Sequence, residues 1–275
     1  MGDREVKARD LEDIERSIIK RYRKDIWAKF IKAVVEFQLI DEGDKIAVAI
    51  SGGKDSLLLA KLIQEIERHG RKDFKAEFIA MDPGYTPEVR RKLLDNCQHL
   101  GIPVKVYDSD VFKVAGKLSG ENPCYMCARM RRGFLYSRAE ELGCNKLALG
   151  HHFDDVIETI MLNVLCAGNY KTMMPKLRSD NFENMEIIRP LYYVQEDDII
   201  RFMNYTGLEA LDCACTVSAG KIASKRKDVK DLIASLEGNF DNVKMSIFRS
   251  AENVDLGGLI GWKDEEGRHS FLDEY

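Results

Sequence analysis

Apolar residues in this chain form short continuous runs that alternate with helical patterns. The runs occur at Lys45–Ile50, Lys75–Met81, Val104–Tyr107 and Lys146–Leu149. The helical patterns lie near Lys54–Arg68, Pro87–Leu100, Met126–Leu142 and Asp154–Leu165. Strands that alternate with helices in this way predict an α/β fold with a doubly wound parallel sheet. Such sheets bind their ligands at the carboxyl ends of the strands, so we expect the functional residues there.

Helical patterns also occur at both ends of the chain. Apolar residues recur at spacings of one, three and four from Leu11 to Gln38, opposite a face rich in Lys and Arg. After Gly168 the chain is first polar, and helical patterns follow at Gln195–Tyr205, Lys227–Leu236 and Phe240–Arg249. We expect a helical region over 1–40 and a main domain over 41–250. The part over 169–250 is predicted to be helical and to bind substrate, and 251–275 is predicted to be a loosely ordered tail.

Composition narrows the possible partners and the compartment. With 275 residues, 45% of them hydrophobic, the chain can bury a large core. The net charge of −4 means that a nucleic acid would have to bind local basic patches. No apolar run has the length of a membrane span, and the N-terminus is too charged for a signal peptide. We therefore expect a cytoplasmic protein without a membrane partner, whose seven cysteines are core residues, metal ligands or catalytic groups.

The turn after the first apolar run has the composition of an anion-binding site. It consists of Ser51, Gly52, Gly53, Lys54, Asp55 and Ser56. Glycines let the backbone approach phosphate oxygens, and the N-terminus of the following helix attracts anions. Lys54 would stabilise a leaving phosphate group, and Asp55 suits a Mg²⁺ ion beside it. The alternative is a tight turn without a ligand.

A second polar string follows the last apolar run of the alternating region. Gly150, His151 and His152 end the strand, and Asp154 and Asp155 open the next helix. Two acids in a first helical turn are explained by capping. Beside a phosphate site, however, they could hold Mg²⁺ or orient a nucleotide.

Two of the cysteines have the spacing of metal ligands. Cys124 and Cys127 are two residues apart, just before a helical pattern that is rich in arginine. Such a pair fits a zinc site, an iron–sulfur site or a redox site, and its partner would be Cys213 or Cys215. We interpret the other three cysteines as core residues: Cys97, Cys144 and Cys166.

Together these strings resemble a known family. The turn SGGKDS matches the SGGxDS signature of the PP-loop ATP pyrophosphatases. With CxxCxRxRRG, LGHHxDD, IRPL and a late cysteine, the chain resembles the tRNA 2-thiocytidine biosynthesis family from about Lys45 to Asn253. The resemblance implies a Rossmann-like fold of the adenine nucleotide α hydrolase type, with ATP, Mg²⁺ and a [4Fe–4S] cluster as cofactors.

The resemblance also assigns roles to residues. It implies that nucleotide binds to Ser51, Gly52, Gly53, Lys54, Asp55, Ser56, Met81, Gly150 and His151. The catalytic residues would be Lys54, Asp55, Asp155, Cys124 and Cys127, and the cluster ligands would be Cys124, Cys127 and Cys213. The family usually has a late CxxC where this chain has Cys213-Ala-Cys215. Counting from the IRPL string favours Cys213, which we expect, whereas counting back from Lys225 favours Cys215.

The implied reaction is thiolation of tRNA. ATP would adenylate the C2 oxygen of a cytidine, expected at position 32 of the anticodon loop, and sulfur held on an open iron would displace AMP. A cysteine desulfurase would supply the sulfur, and a homodimer is possible. The alternatives are thiolation of a tRNA uridine, lysidine synthesis and a PP-loop sulfurtransferase with a small-molecule substrate. The expected RNA footprint combines the basic residues after Cys127, those near Lys171 and Lys176, those over 221–230, and those of the first helix.

Overall fold

The computed structural model describes residues 8–109, 123–179, 181–182, 184–211 and 221–274, with the side chains of 123–128, 221–224 and 274 excluded. Its main sheet has six strands. They are β1 Lys45–Ile50, β2 Lys75–Asp82, β3 Val104–Asp108, β4 Lys146–Ala148, β5 Lys176–Arg178 and β6 Glu186–Ile188. The strand order is β3-β2-β1-β4-β6-β5, and every neighbouring pair is parallel except β5 and β6.

Helices surround this sheet. They are α1 Leu11–Ile19, α2 Ala28–Glu36, α3 Lys54–His69, α4 Pro87–His99, α5 Pro123–Glu141, α6 Phe153–Leu162, α7 Glu196–Thr206, α8 Lys221–Glu237 and α9 Val243–Ser250. The predicted helix over Leu11–Gln38 is divided, because a π-helical turn at Arg23–Trp27 separates α1 from α2. The three helices predicted after residue 190 correspond to α7, α8 and α9. Their bounds differ by a few residues, and α8 begins at Lys221 rather than Lys227.

Alternation along the strands builds a core on each face of the sheet. In β1, Ile46, Val48 and Ile50 face a large core formed with α1, α2, α3 and α6, among other helices. Ala47 faces the opposite side, where Leu135 of α5 belongs to a smaller core. Both faces are buried, which explains why the strands are nearly continuous apolar runs. The predicted α/β fold class is confirmed.

The order of the strands reverses beside β1. The chain places β2 and then β3 on one side of β1, and β4 lies directly on the other side. The carboxyl ends of β1 and β4 are therefore neighbours at the point where an open α/β sheet leaves a crevice for a ligand.

A buried lysine ties α1 to the main body. The Lys61 side chain is fully buried, and its Nζ donates to Glu15 Oε1 at 2.6 Å and to the Leu100 carbonyl at 3.0 Å. Ile14 and Ile18 of α1 belong to the same core as β1. The helical region at the N-terminus thus packs directly on the sheet domain. The division of the chain into three parts stays a prediction.

The C-terminal residues contain more structure than a loosely ordered tail. Gly261–Lys263 and Arg268–Ser270 pair as an antiparallel hairpin. Asp264 Oδ1 accepts backbone N–H groups of the turn, and Trp262 stacks on His269 with 5.2 Å between the ring centroids. These contacts lie within the segment, so local turn chemistry explains the order. Within the described ranges, no helix has both the length and the apolar character needed to cross a membrane.

We expect Lys61→Met to lower the free energy of unfolding by about 2 kcal/mol or more, because the Leu100 carbonyl and the Gln64 side-chain oxygen lose the Lys61 donor and Glu15 keeps only Arg68. Urea unfolding measures this change. Lys75→Met, at an exposed position at the start of β2, is the control and should change stability by about 0.5 kcal/mol or less. Equal stability of the two variants would contradict the role of Lys61.

Candidate functional site

The turn after β1 has a backbone that only glycine fits. Gly52 has φ +81°, in the left-handed region, and a Cβ there would lie 2.6 Å from Leu211 Cδ1 and 2.8 Å from Leu93 Cδ1. Ser56 Oγ accepts from Ser51 N–H at 3.2 Å and donates to the Gly53 carbonyl at 2.9 Å. No side chain caps α3, which begins directly after Gly53. The turn therefore presents helix N–H groups to an anion.

The string after β4 packs directly against this turn. A Cβ at Gly150 would lie 3.1 Å from the Asp55 carbonyl carbon and 3.2 Å from the Ser56 nitrogen. Contacts this close explain why glycine occupies position 150. The two strings, about a hundred residues apart in the sequence, thus meet at the reversal of strand order.

His152 lies between the acidic residues of the two strings. It is buried, and its Nε2 is 3.4 Å from Asp155 Oδ2 and 3.8 Å from Asp55 Oδ1. Burial raises the pKa of Asp55 above its ordinary value, against the opposing effect of His152 and Lys54. Burial also acts on Asp155, but His152, His151 and the His152 backbone N–H outweigh it and lower the pKa of Asp155. Sequence reasoning favoured His151 over His152, whereas the geometry places His152 between the carboxylates.

Asp55 meets the requirement for a magnesium ligand. Its Oδ1 is buried and has no hydrogen-bond partner. Within the described part of the chain, no group of three or more His, Cys, Asp or Glu side chains is arranged as a metal cage. A Mg²⁺ ion in a nucleotide site needs only one or two carboxylates, since phosphate oxygens and water complete its shell. The donor set therefore fits Mg²⁺ bound together with phosphate.

Lys54 is held by an acid that sequence reasoning missed. Its Nζ lies 3.1 Å from Asp55 Oδ2 and 3.1 Å from Glu196 Oε1, and Glu196 Oε2 is 2.5 Å from Lys230 Nζ on α8. Burial opposes the charge of Lys54, but these acids raise its pKa. Burial likewise opposes the charge of Glu196, but the two lysines lower its pKa to about 2. In the sequence, Glu196 is indistinguishable from an acid that caps the first turn of a helix.

Part of the expected RNA footprint is engaged inside the molecule. Arg226 on α8 lies 3.6 Å from Asp155 Oδ1 and 3.3 Å from Glu158 Oε2, and Lys230 binds Glu196. Other footprint cations pair in the same way: Arg138 with Glu141, and Lys176 and Arg178 with Glu186. Among the footprint arginines that the structure describes, those without an ion pair include Arg129, Arg131 and Arg132 of α5.

Of two predicted nucleotide neighbours, Met81 is buried and His151 is half-buried. Met81, at the end of β2, packs in the smaller core. The next residue, Asp82, accepts the backbone N–H groups of Gly84 and Tyr85 and binds Arg90 at 2.6 Å. Burial lowers the pKa of His151, and its Nδ1 has no hydrogen-bond partner. Nucleotide contact by Met81 and His151 stays a prediction.

The side chains of the proposed cluster ligands all lie outside the described residues. Cys124 and Cys127 lie in the first turns of α5, and their side chains are outside the described residues, as are Cys213 and Cys215. Leu211 N–H donates to the Gly52 carbonyl at 2.9 Å. The chain is therefore at the glycine turn two residues before Cys213 in the sequence.

The remaining cysteines are only partly as expected. Burial raises the pKa of Cys97 to about 12 and that of Cys144 to about 11, so both thiols are inert core groups. The core assignment of Cys166 was wrong, because this residue is exposed on a π-helical turn after α6 that buries none of its residues.

Comparisons with known proteins agree with this geometry. Residues 23–212 match the model of a family described as a PP-loop domain. The tRNA-cytidine(32) 2-sulfurtransferase of Pelobacter propionicus is 40% identical over 81% of this chain and 83% of that protein. The enzyme of the same name from Geobacter metallireducens is 39% identical over 88% of this chain and 93% of that protein. Among solved structures, the U34-tRNA thiolase NcsA of Methanococcus maripaludis with its [4Fe–4S] cluster has a TM-score of 0.65 at 25% identity, covering 82% of this chain and 76% of that one.

The two glycines of the turn should respond differently to alanine. Gly52→Ala should lower the melting temperature, because φ +81° alone costs an L-residue about 1–2 kcal/mol and the new Cβ overlaps Leu211. Gly53→Ala should fold like the parent, since its Cβ would come no closer than 3.4 Å to another atom. It should nevertheless bind ATP about tenfold more weakly, because the methyl group blocks approach to the backbone. Thermal unfolding and equilibrium ATP binding test both, and unchanged ATP affinity in Gly53→Ala would contradict a phosphate at this turn.

Proposed function

The chain belongs to the PP-loop family and, within it, to the tRNA-cytidine(32) 2-sulfurtransferases, and on this basis we propose that it is an ATP-dependent tRNA thiolase that acts on cytidine 32. One observation carries the proposal. The glycine turn, the unpartnered Asp55 Oδ1 and the string after β4 meet at the reversal of strand order. A nucleotide and its Mg²⁺ therefore find their ligands on one edge of the sheet.

The first step is transfer of AMP to the base. The C2 oxygen of cytidine attacks the α-phosphorus of ATP, the bond between the α-phosphorus and its bridging oxygen breaks, and pyrophosphate leaves. Charge builds up on the pyrophosphate, where the N–H groups at the start of α3 and the ammonium of Lys54 stabilise it. The contact between Lys54 and Glu196 keeps the lysine charged and oriented before the nucleotide arrives. Asp55 would hold Mg²⁺ against the phosphates.

The second step replaces oxygen by sulfur. Sulfur at the oxidation level of sulfide bonds to C2 and releases its proton to solvent, the bond between C2 and oxygen breaks, and AMP leaves as a far better leaving group than hydroxide. A [4Fe–4S] cluster, held by Cys124, Cys127 and Cys213, would supply an open iron that carries the sulfur. The hydrogen bond between Leu211 and Gly52 supports a location of this cluster beside the nucleotide, because it brings the chain to the turn just before Cys213.

The substrate and partners follow from the same proposal. The target base lies in the tRNA anticodon loop and must leave its stack to reach the turn. Arg129, Arg131 and Arg132 are available for backbone phosphates, because they have no ion pairs in the part of the chain that the structure describes. A cysteine desulfurase would supply the sulfur as a persulfide, which a thiol reductant converts to sulfide with two electrons, and the family resemblance points to a homodimer.

Asp55→Asn should abolish thiolation without unfolding the protein, because it removes the charge that holds Mg²⁺ but keeps the size of the side chain. We expect a loss of about 100-fold or more in 2-thiocytidine formed from ATP, sulfide and unmodified tRNA. Nucleoside analysis by mass spectrometry measures the product. Asp95→Asn, an exposed aspartate on α4, is the matched control. A thiouridine in place of 2-thiocytidine would move the target to a uridine, and full activity of Asp55→Asn would remove the Mg²⁺ role.

The two late cysteines provide a second test. Cys213→Ala should lose the iron and the brown colour of anaerobically purified protein, whereas Cys215→Ala should keep both, because three thiolates complete the site and leave one iron open. Iron analysis and the absorption spectrum measure this difference. Loss of iron only in Cys215→Ala would make Cys215, rather than Cys213, the third ligand. Zinc without iron in the parent protein would exclude the cluster.

A further inference from the structure

Three cationic side chains are buried in the part of the chain that the structure describes: Lys61, Lys146 and Arg189. Two of them have carboxylate partners. Lys61 binds Glu15 at 2.6 Å, and Lys146 binds Asp44 at 2.6 Å and Asp41 at 2.9 Å. Arg189, which is only 7% exposed, has no ion pair with any described residue.

Arg189 lies at the same edge of the sheet as the candidate functional site. It directly follows β6, which pairs with β4, and the Leu149 N–H donates to the Ile188 carbonyl at 3.0 Å. Arg189 is therefore at the same carboxyl edge of the sheet as Gly150 and His151. By contrast, Lys61 is on α3 beside α1, and Lys146 begins β4 at the opposite edge. Of these three buried cations, the one without an ion pair to a described residue is therefore the one at the carboxyl edge of the sheet.

No carboxylate of a described residue lies within ion-pair distance of the guanidinium, although Asp155 acts on it from a longer distance. One terminal nitrogen of Arg189 donates to the Met174 carbonyl, whereas Nε is buried without a hydrogen-bond partner. Burial lowers the pKa of Arg189, against the opposing effects of Tyr192, Tyr136 and Asp155, and Arg132 on α5 adds to the lowering. His151 beside it also has an unpartnered nitrogen, Nδ1. An uncompensated buried cation is costly, and such a cost is tolerated where a ligand supplies the missing charge.

We propose that Arg189 binds a phosphate group at the carboxyl edge of the sheet. A guanidinium is suited to phosphate because its planar donors match two oxygens at once. The phosphate comes either from ATP or from the RNA backbone beside the target cytidine. The inference rests on the proposed function, whose reaction brings both sources to this edge.

Arg189→Gln separates the two sources. If the phosphate belongs to RNA, the affinity for unmodified tRNA should fall at least about tenfold, with a salt dependence smaller by about one counterion, while ATP affinity stays unchanged. If it belongs to ATP, affinity for Mg-ATP should fall about tenfold and tRNA affinity should not change. Arg189→Lys, which keeps the charge but not the planar donors, should lose less in either case. Arg71→Gln, at an exposed position before β2 and outside the expected RNA footprint, is the control. Unchanged affinity for both ligands in a folded Arg189→Gln protein would overturn the proposal.

A second test uses the unmutated protein, so its result does not depend on whether the Arg189→Gln variant folds. The Nε–H signal of Arg189 in a nitrogen-15 spectrum, identified by its loss in Arg189→Lys, should shift when Mg-ATP or tRNA is added. A signal that neither ligand moves would overturn the proposal. The affinities and the Nε–H shift do not depend on which base is thiolated. If the protein makes a thiouridine or no thiolated base, the proposed function fails, but these measurements still show whether Arg189 binds phosphate.

Discussion

The close approach of two backbones at the carboxyl edge of the sheet is the constraint on which the site depends. Gly150 lies so near the peptide between Asp55 and Ser56 that a Cβ would come within 3.1 Å of it, and Gly52 has no room for a Cβ beside Leu211 and Leu93. The first contact arises because β1 and β4 are neighbours where the strand order reverses, and the second is made by α4 and by the chain that follows α7. The phosphate turn, the acids at the start of α6 and the chain leading to Cys213 are consequently held together by backbone packing.

Ion pairs complete this arrangement and connect it to the helices that follow. Glu196 joins Lys54 of the turn to Lys230 of α8, and Arg226 of the same helix joins Asp155 to Glu158. These pairs lie partly out of water, where charges interact more strongly than at an exposed surface. Helix α8 also directly follows the segment that contains Cys213 and Cys215 in the sequence. The residues proposed to orient the nucleotide are thus joined by ion pairs to the helix that follows, in the sequence, the segment expected to carry the sulfur site.

The charges of the molecule fall into two classes with different uses. Many of its cations, including Lys61, Lys146 and several residues first assigned to RNA, are neutralised by carboxylates within the fold. Arg129, Arg131 and Arg132 of α5, and the buried Arg189, have no ion pair with any described residue. A mildly acidic chain can thus present a local positive surface to a polyanion.

The sequence by itself determined the fold class, most helices and strands, and the two strings that meet at the carboxyl edge of the sheet, because strand and helix periodicity and the glycine turn are local properties. It also determined the family, since the strings match residue by residue. Only the tertiary structure decided that His152 lies between Asp55 and Asp155, that Glu196 holds Lys54, and that Arg226 is used internally. It likewise showed that Arg189 is buried without a carboxylate and that Cys166 is exposed. Partners and burial depend on elements distant in the chain, and no local pattern records which charge will meet which.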